Sequence, residues 1–308
     1  MGTRGRTLTR ALWVCIAAYA GADVSFLLAG LYPGHVPVVV SVALHIFPPL
    51  VFALLHGATL YGWRGACMFA GLSVLVGNLF ENLSIRTGFP FGRYSFTERM
   101  GPKILQVPVL LGLAYVGMGY LSWTVASAML RARRDRLAGW RVATLPLLAT
   151  VVMTSWDVAM DPIWSTVGRL WIWQEGGGYF GVPASNYFGW LLTNYVIYQL
   201  FALWLMGWGG ASDSAIGFEN GAGVENLSKG YLRVALIFYV VTAVGNLLLT
   251  IPRPRHPVVS DAAGAAWRVS DITAACAVAS VLLMGAFAIS AWVRVAERSR
   301  ESESSPSA

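Results

Sequence analysis

The sequence predicts an all-α fold, a polytopic bundle of about eight membrane-spanning helices, with seven as the alternative count. Three observations carry this. Of 308 residues, 56% are hydrophobic and 12% charged, where a soluble domain carries about 25% charged residues. The mean hydropathy is +0.59. Apolar windows of roughly 20 residues recur along the chain, each long enough to cross ~30 Å of hydrocarbon, and the ~10-residue alternating segments of a β-barrel do not occur.

The expected spans are 11–31, 36–56, 63–83, 104–130, 140–160, 187–208, 231–251 and 269–293. The first is too long for the apolar core of a signal peptide and contains Asp23, so it reads as a retained helix. Between spans four and five lies the basic loop Arg131-Ala-Arg-Arg-Asp-Arg136, and Arg4, Arg6 and Arg10 precede span one. Arg294, Arg298 and Arg300 follow the last span. Eight spans place these arginines on one side, which the positive-inside rule makes cytoplasmic, so both termini are expected there. Arg253 and Arg255 fall on the opposite side and dissent; seven spans would invert one terminus. The chain is expected in a bacterial-type cytoplasmic membrane. Residues 1–296 form one integral-membrane domain in this reading. The Gly-rich stretch 209–229 is a connector, and 297–308, rich in Ser, Glu and Arg, is a disordered tail.

The net charge of +7 follows arginine rather than lysine, and in such a chain it sets topology; nucleic acid is not an expected partner. Cys15, Cys67 and Cys276 lie on three separate spans, with no CxxC pair, and read as apolar packing residues. His35, His45, His56 and His256 form no HxxxH or HxxHH cluster, which excludes a di-iron desaturase. Both lysines, Lys103 and Lys229, lie in loops, which excludes a retinal Schiff base.

Ionisable and amide side chains inside the bilayer are costly, so each is a functional candidate. Asp23, His45, Asn78, Glu81, Asn82, Asp157, Asn194 and Asn246 are these residues, and the topology places nearly all of them in the outer half of the membrane. For Asn82, Asn194 and Asn246 the competing reading is interhelical hydrogen bonding. Asp157 and Asp161 are four residues apart and share a helix face. Pro162 is expected to end the helix at Asp161, leaving both carboxylates at a helix C-terminus. A carboxylic acid that keeps its proton there can act as a general acid. Trp156, Trp164, Trp171 and Trp173 surround this point; for the last two the competing reading is an interfacial aromatic belt.

Two loops stand out. Gly88-Phe-Pro-Phe-Gly-Arg-Tyr-Ser-Phe-Thr97, between Glu81-Asn82 and Gly101-Pro-Lys103, mixes rings, turn residues and charges. The second, Gln174 to Trp190, is rich in glycine and is expected to face the first. Neither a P-loop lysine nor a GxGxxG pattern accompanies it, so the glycines do not indicate phosphate.

Together these segments resemble the membrane carotenoid 1,2-hydratase family, the bacterioruberin-precursor and γ-carotene hydratases. The resemblance runs over about 40–250 and is carried by Glu81-Asn82, 88–97, Gly101-Pro-Lys103, Val107-Pro108, Trp156-Asp157, Asp161-Pro162, Trp173, 177–183, Asn186 and Gly189-Trp190. It implies addition of water across the terminal C1–C2 double bond of an acyclic (ψ) end group, giving a tertiary alcohol. It requires neither metal nor redox cofactor.

On this reading Asp157 or Asp161 is the acid, and Glu81 the water-side base or partner. Asn82, Phe89, Phe91, Arg93, Tyr94, Trp156, Trp164, Tyr179 and Asn186 are expected to bind substrate. Asp23, His45, Asn78, Arg86, Lys103, Asn194 and Asn246 are expected to support the site; for Arg86 and Lys103 the competing reading is snorkelling to the interface. The expected partner is a carotenoid within the bilayer, with other enzymes of its pathway. Two rivals remain: a magnesium-dependent prenyltransferase-like enzyme, for which Asp157-x-x-x-Asp161 supplies half the pattern, and a non-catalytic transporter or scaffold.

Overall fold

In the computed structural model, residues 3–31, 38–132, 137–208, 222–248, 250–251 and 257–304 are described. Their long elements are α1 (Thr3–Leu31), α2 (Val38–Thr87), α3 (Val109–Met129), α4 (Arg141–Pro162), α5 (Ala184–Trp208), α6 (Ala222–Leu248), α7 (Val269–Ala279) and α8 (Gly285–Ser304). Seven helical stretches among the described residues are long and apolar enough to span a membrane. The longest, α2, is two spans in one.

Gly62 divides α2, with φ 72° and ψ 168°. Only glycine takes such angles without strain. A methyl placed on Gly57 would lie 3.5 Å from the Ala66 Cβ, although nine residues of straight helix rise ~13.5 Å. The chain therefore reverses at Gly62. Both arms pack on α3, in opposite directions. Along the first arm, Pro49 meets Gly117 and His56 meets Tyr120; along the second, Phe69 meets Tyr120, Gly77 meets Tyr115 and Asn78 meets Gly112. Gly117 lets the α2 and α3 backbones approach closely, while Gly77 and Gly112 make room for the Tyr115 ring and the Asn78 amide, as small residues do in helix association in lipid. With the two arms of α2 counted separately, the seven stretches among the described residues are consistent with the expected eight spans.

Two helices differ from expectation. The expected stop at Asp161 does not occur: α4 runs through Pro162 and continues as a wide π-turn, Ile163–Val167, closed by Gly168 N–H donating to Ile163 O at 2.8 Å. A proline removes the bond to the carbonyl four residues back. The freed Val158 carbonyl instead accepts from the Tyr179 hydroxyl at 3.3 Å. Pro146 is handled the same way, with the Val142 carbonyl accepting from Gln199 Nε2 at 3.2 Å. The carboxylates thus lie more than a turn inside the helix, where its terminal dipole is spent. The second difference is at the C-terminus: α8 continues past 297 to Ser304, so the segment expected to be disordered is helical that far. Residues 305–308, most of the 209–229 connector (209–221) and the dissenting Arg253 and Arg255 lie outside the described residues.

The all-α expectation omits three short antiparallel ribbons among the described residues. β1 (Tyr94–Phe96) pairs with β4 (Trp171–Trp173), β2 (Lys103–Ile104) with β3 (Val107–Pro108), and β5 (Val258–Ser260) with β6 (Ala266–Arg268). All gather at one end of the bundle. The two motif loops meet in the β1–β4 ribbon, where Tyr94 faces Trp173 and Phe96 faces Trp171.

Candidate active site

Serine 84, near the end of α2, shapes the first motif loop. Its hydroxyl accepts from the Phe91 N–H at 3.1 Å and donates to the Gly92 carbonyl at 2.8 Å. Phe91 is thereby turned under Gly189 of α5, where any Cβ would collide with the ring at 2.4 Å. Ser185 closes the contact by donating to the Phe91 carbonyl at 2.9 Å. Tyr94 follows on β1 and points inward, because alternate strand residues face one side. Its buried hydroxyl bonds Oε2 of Glu81, and Tyr115 of α3 donates to Oε1 of the same carboxylate at 2.7 Å.

Opposite Glu81 stand Asp157 and Asp161. The Asn186 amide, in the first turn of α5, donates to Oδ2 of both at 2.8 Å. Asp161 Oδ1 also accepts the indole N–H groups of Trp171, at 3.0 Å, and Trp173, at 3.4 Å. Asp161 therefore faces three N–H donors, the environment of a carboxylate. Asp157 differs. Its Oδ1 is buried and has no hydrogen-bond partner among the described residues. Inside a chamber lined by two other carboxylates, such an atom is where a proton, a water or an incoming molecule can be accommodated.

These groups line a chamber of about 320 Å³, walled by Phe91, Tyr94, Phe96, Trp171, Trp173 and Trp190. Beside it lies a larger apolar cleft of about 840 Å³. Leu111, Met160 and Trp171 line both spaces. Among the described residues no group of three or more His, Cys, Asp or Glu side chains is disposed to hold a metal ion.

The sequence-named residues fall into three sets. Glu81, Phe91, Tyr94, Asp157, Asp161 and Asn186 meet in the chamber. Asp23, His45, Trp156, Trp164 and Asn246 line the apolar cleft instead. There His45 Nε2 contacts Asp23 Oδ1 at 3.2 Å, while Asn246 donates to Ser280 Oγ at 2.9 Å.

The rest lie apart. Asn82 donates to the Asn78 carbonyl at 2.8 Å and accepts from Gln106 N–H at 3.2 Å, which ties the β2–β3 ribbon to α2. Asn194 donates to the Trp190 carbonyl at 2.9 Å, and Tyr179 serves Val158. Phe89, Arg86 and Arg93 are exposed. Lys103 bonds the Phe96 carbonyl at 3.0 Å and Glu98 at 2.8 Å. None of these four lines the chamber. Their long or charged side chains stay at the water-facing end, and neutral O–H and N–H donors attend the carboxylates instead.

Tyr115, Trp171, Trp173, Trp190 and Ser84 are the site residues that sequence reasoning did not single out as ligands. Tyr115 gives no signal, since a tyrosine in an apolar span looks like packing. The two ribbon tryptophans read equally well as an interfacial belt; their burial decides otherwise.

The fold and the chamber together describe a helical membrane protein with three buried carboxylates gathered in an aromatic cavity. The chain belongs to the carotenoid biosynthesis protein family, whose pattern it matches over residues 35–252. It is 32% identical over 137 residues to a protein of Haloarcula japonica named bisanhydrobacterioruberin hydratase. That match takes in 43% of this chain and 44% of the relative, so the chain spans less than half the length of the protein it matches. No solved structure matches it.

Proposed function

We propose that the protein is a carotenoid hydratase. It adds water across the terminal C1–C2 double bond of an acyclic end group, which enters the chamber from the apolar cleft while the polyene remains in the cleft and the bilayer. The observation that carries this reading is the unpartnered, buried Oδ1 of Asp157 inside an aromatic chamber. The kinship with a named hydratase supports it.

Asp157 holds the catalytic proton on Oδ1 and delivers it to C2 of the alkene. The π electrons form the new C–H bond and leave a tertiary cation at C1. The faces of Trp171, Trp173 and Trp190 stabilise that cation, as ring quadrupoles do. Water attacks C1, and its surplus proton passes to Glu81, whose tyrosine partners hold it ready. Solvent returns the proton to Asp157, so alkene plus water becomes alcohol with nothing else consumed. Asp161, held by three N–H donors, is the fixed negative charge beside the acid. Asn186 sets the spacing of the pair. This refines the choice between the two aspartates: Asp157 has the free oxygen, and Asp161 has none.

The ribbon end faces the non-cytoplasmic side in this proposal, because the basic segments lie at the other end and positive charge is retained inside. Expression in a host that makes lycopene or γ-carotene, followed by mass spectrometry of the pigments, tests the reaction. A gain of about 18 mass units is expected. Gain of an isoprenoid unit would establish the prenyltransferase class instead.

A further inference from the structure

Three cavities meet at one side chain. Trp171 lines the apolar cleft, the acid chamber and a third cavity of about 270 Å³. Trp173 also separates the chamber from that third cavity. Both indole N–H groups bond Asp161, so the partition is pinned to the carboxylates themselves.

The third cavity differs in chemistry from the other two. Its lining includes Ser165, Thr166, Arg169, Ser260, Asp261 and Ala262. Arg169, Ser260 and Ala262 are exposed, so it opens at the ribbon end, beyond the spans. The wide turn Ile163–Val167 sets Ser165 and Thr166 on its inner side. Such turns often mark functional positions. Ser165 donates to the Asp161 carbonyl at 2.8 Å, and Thr166 to the Phe180 carbonyl at 2.6 Å. Each hydroxyl keeps its lone pairs free to accept from water.

A hydratase has two substrates of opposite character. The alkene comes from lipid, through a cleft that is mainly apolar. Water must reach the same carbon without flooding that cleft. We infer that the third cavity is the water inlet of the acid chamber: water gathers against Ser165, Thr166 and Asp261 and passes between Trp171 and Trp173 to the carboxylates. The inference rests on the hydration reading and assigns the route of its second substrate.

Ala262 tests it, because a larger side chain there fills the inlet from an exposed hairpin. Ala262→Leu and Ala262→Trp, in the full chain, are assayed with lycopene in detergent micelles. In that order kcat is expected to fall, by about tenfold for the tryptophan, while KM for lycopene stays within about twofold. With methanol added as a competing nucleophile, the ratio of methyl ether to alcohol in the product is expected to fall in the same order. If the Ala262 variants do not accumulate, Ser260→Phe at the end of β5 is read in the same way. A wild-type chain that hydrates, with variants of unchanged kcat, overturns the inlet alone. A rise in KM at unchanged kcat also overturns it, since the cavity would then lie on the carotenoid's path. A wild-type chain that forms no hydrated product overturns the reaction beneath it.

Discussion

The indole N–H of Trp171 donates to Oδ1 of Asp161 at 3.0 Å, joining a surface ribbon to a carboxylate of a membrane helix. β4 and α4 are thereby one unit: the ribbon cannot shift without unsaturating a buried acceptor. The same tie sets the asymmetry of the aspartate pair, since the indoles satisfy Asp161 and leave Asp157 with a free oxygen. The predictions below follow from that asymmetry and from the packing that supports it.

Asp157→Asn should remove hydration and spare the fold. The amide oxygen can take the Asn186 bond, and the NH₂ group then occupies the unpartnered position. Loss of a general acid costs about 100-fold or more in rate. Product mass and thermal midpoint, measured together on the purified chain, give the answer. Wild-type turnover by this variant would remove Asp157 as the acid.

Asp161→Asn should lose stability as well as activity. Trp171 and Trp173 can still donate to its oxygen, but its NH₂ group then meets the Asn186 amide, donor against donor. Leaving buried donors unpaired costs about 1–3 kcal/mol. A lower thermal midpoint than that of Asp157→Asn is expected in the same detergent.

Tyr115→Phe should slow hydration and lower stability by about 1–3 kcal/mol, because Glu81 Oε1 loses its donor while staying buried. Stacking of this ring on Trp190, with centroids 5.0 Å apart, is retained by phenylalanine, so packing loss does not confound the result. Hydration kinetics and chemical denaturation of the variant read the two effects separately.

Gly117→Ala should destabilise by about 1–3 kcal/mol. Its Cβ would sit 2.7 Å from Pro49 Cβ and 2.9 Å from the Leu50 backbone nitrogen, forcing α2 off α3. Gly71→Ala is the internal control, as nothing lies within 4 Å of its Cβ. There a gain of about 0.5–1 kcal/mol in helix propensity is expected. Thermal unfolding in one detergent ranks the two against wild type.

Tyr179 makes a pH prediction. Burial holds its hydroxyl well above the ordinary tyrosine value, so the folded chain keeps this proton where the unfolded chain releases it. Its contribution is therefore complete below the unfolded value of about 10 and declines as pH rises through and beyond it. Midpoints recorded from neutral to strongly alkaline pH should fall less steeply for Tyr179→Phe than for wild type. The variant should start lower by about 0.5–1.5 kcal/mol, having lost the bond to Val158.

Much of the architecture was legible in the sequence, because crossing a bilayer imposes a length and a polarity that hydropathy records directly. The apolar helices, the two motif loops and the three buried carboxylates were all read from residue type and spacing. Gly62 is the instructive case: apolar sequence runs on through it, yet the break between the expected second and third spans falls there, where a glycine can turn the chain. Pro162 went the other way. A proline ordinarily ends a helix, but a hydroxyl seventeen residues later replaces the lost donor, and local rules cannot see that partner.

The sequence by itself determined what must be buried in lipid and which side chains were too costly to be there without purpose. Only the tertiary structure decided which of those share a chamber. Glu81 and Asp157 are far apart along the chain and meet through the packing of α2, α4 and α5 around α3. Asp23, His45 and Asn246, equally costly, gather in the neighbouring cleft. Whether Trp171 and Trp173 face lipid or a carboxylate depends on the pairing of β1 with β4. That register is set by contacts between segments distant in sequence, and no periodicity within either segment encodes it.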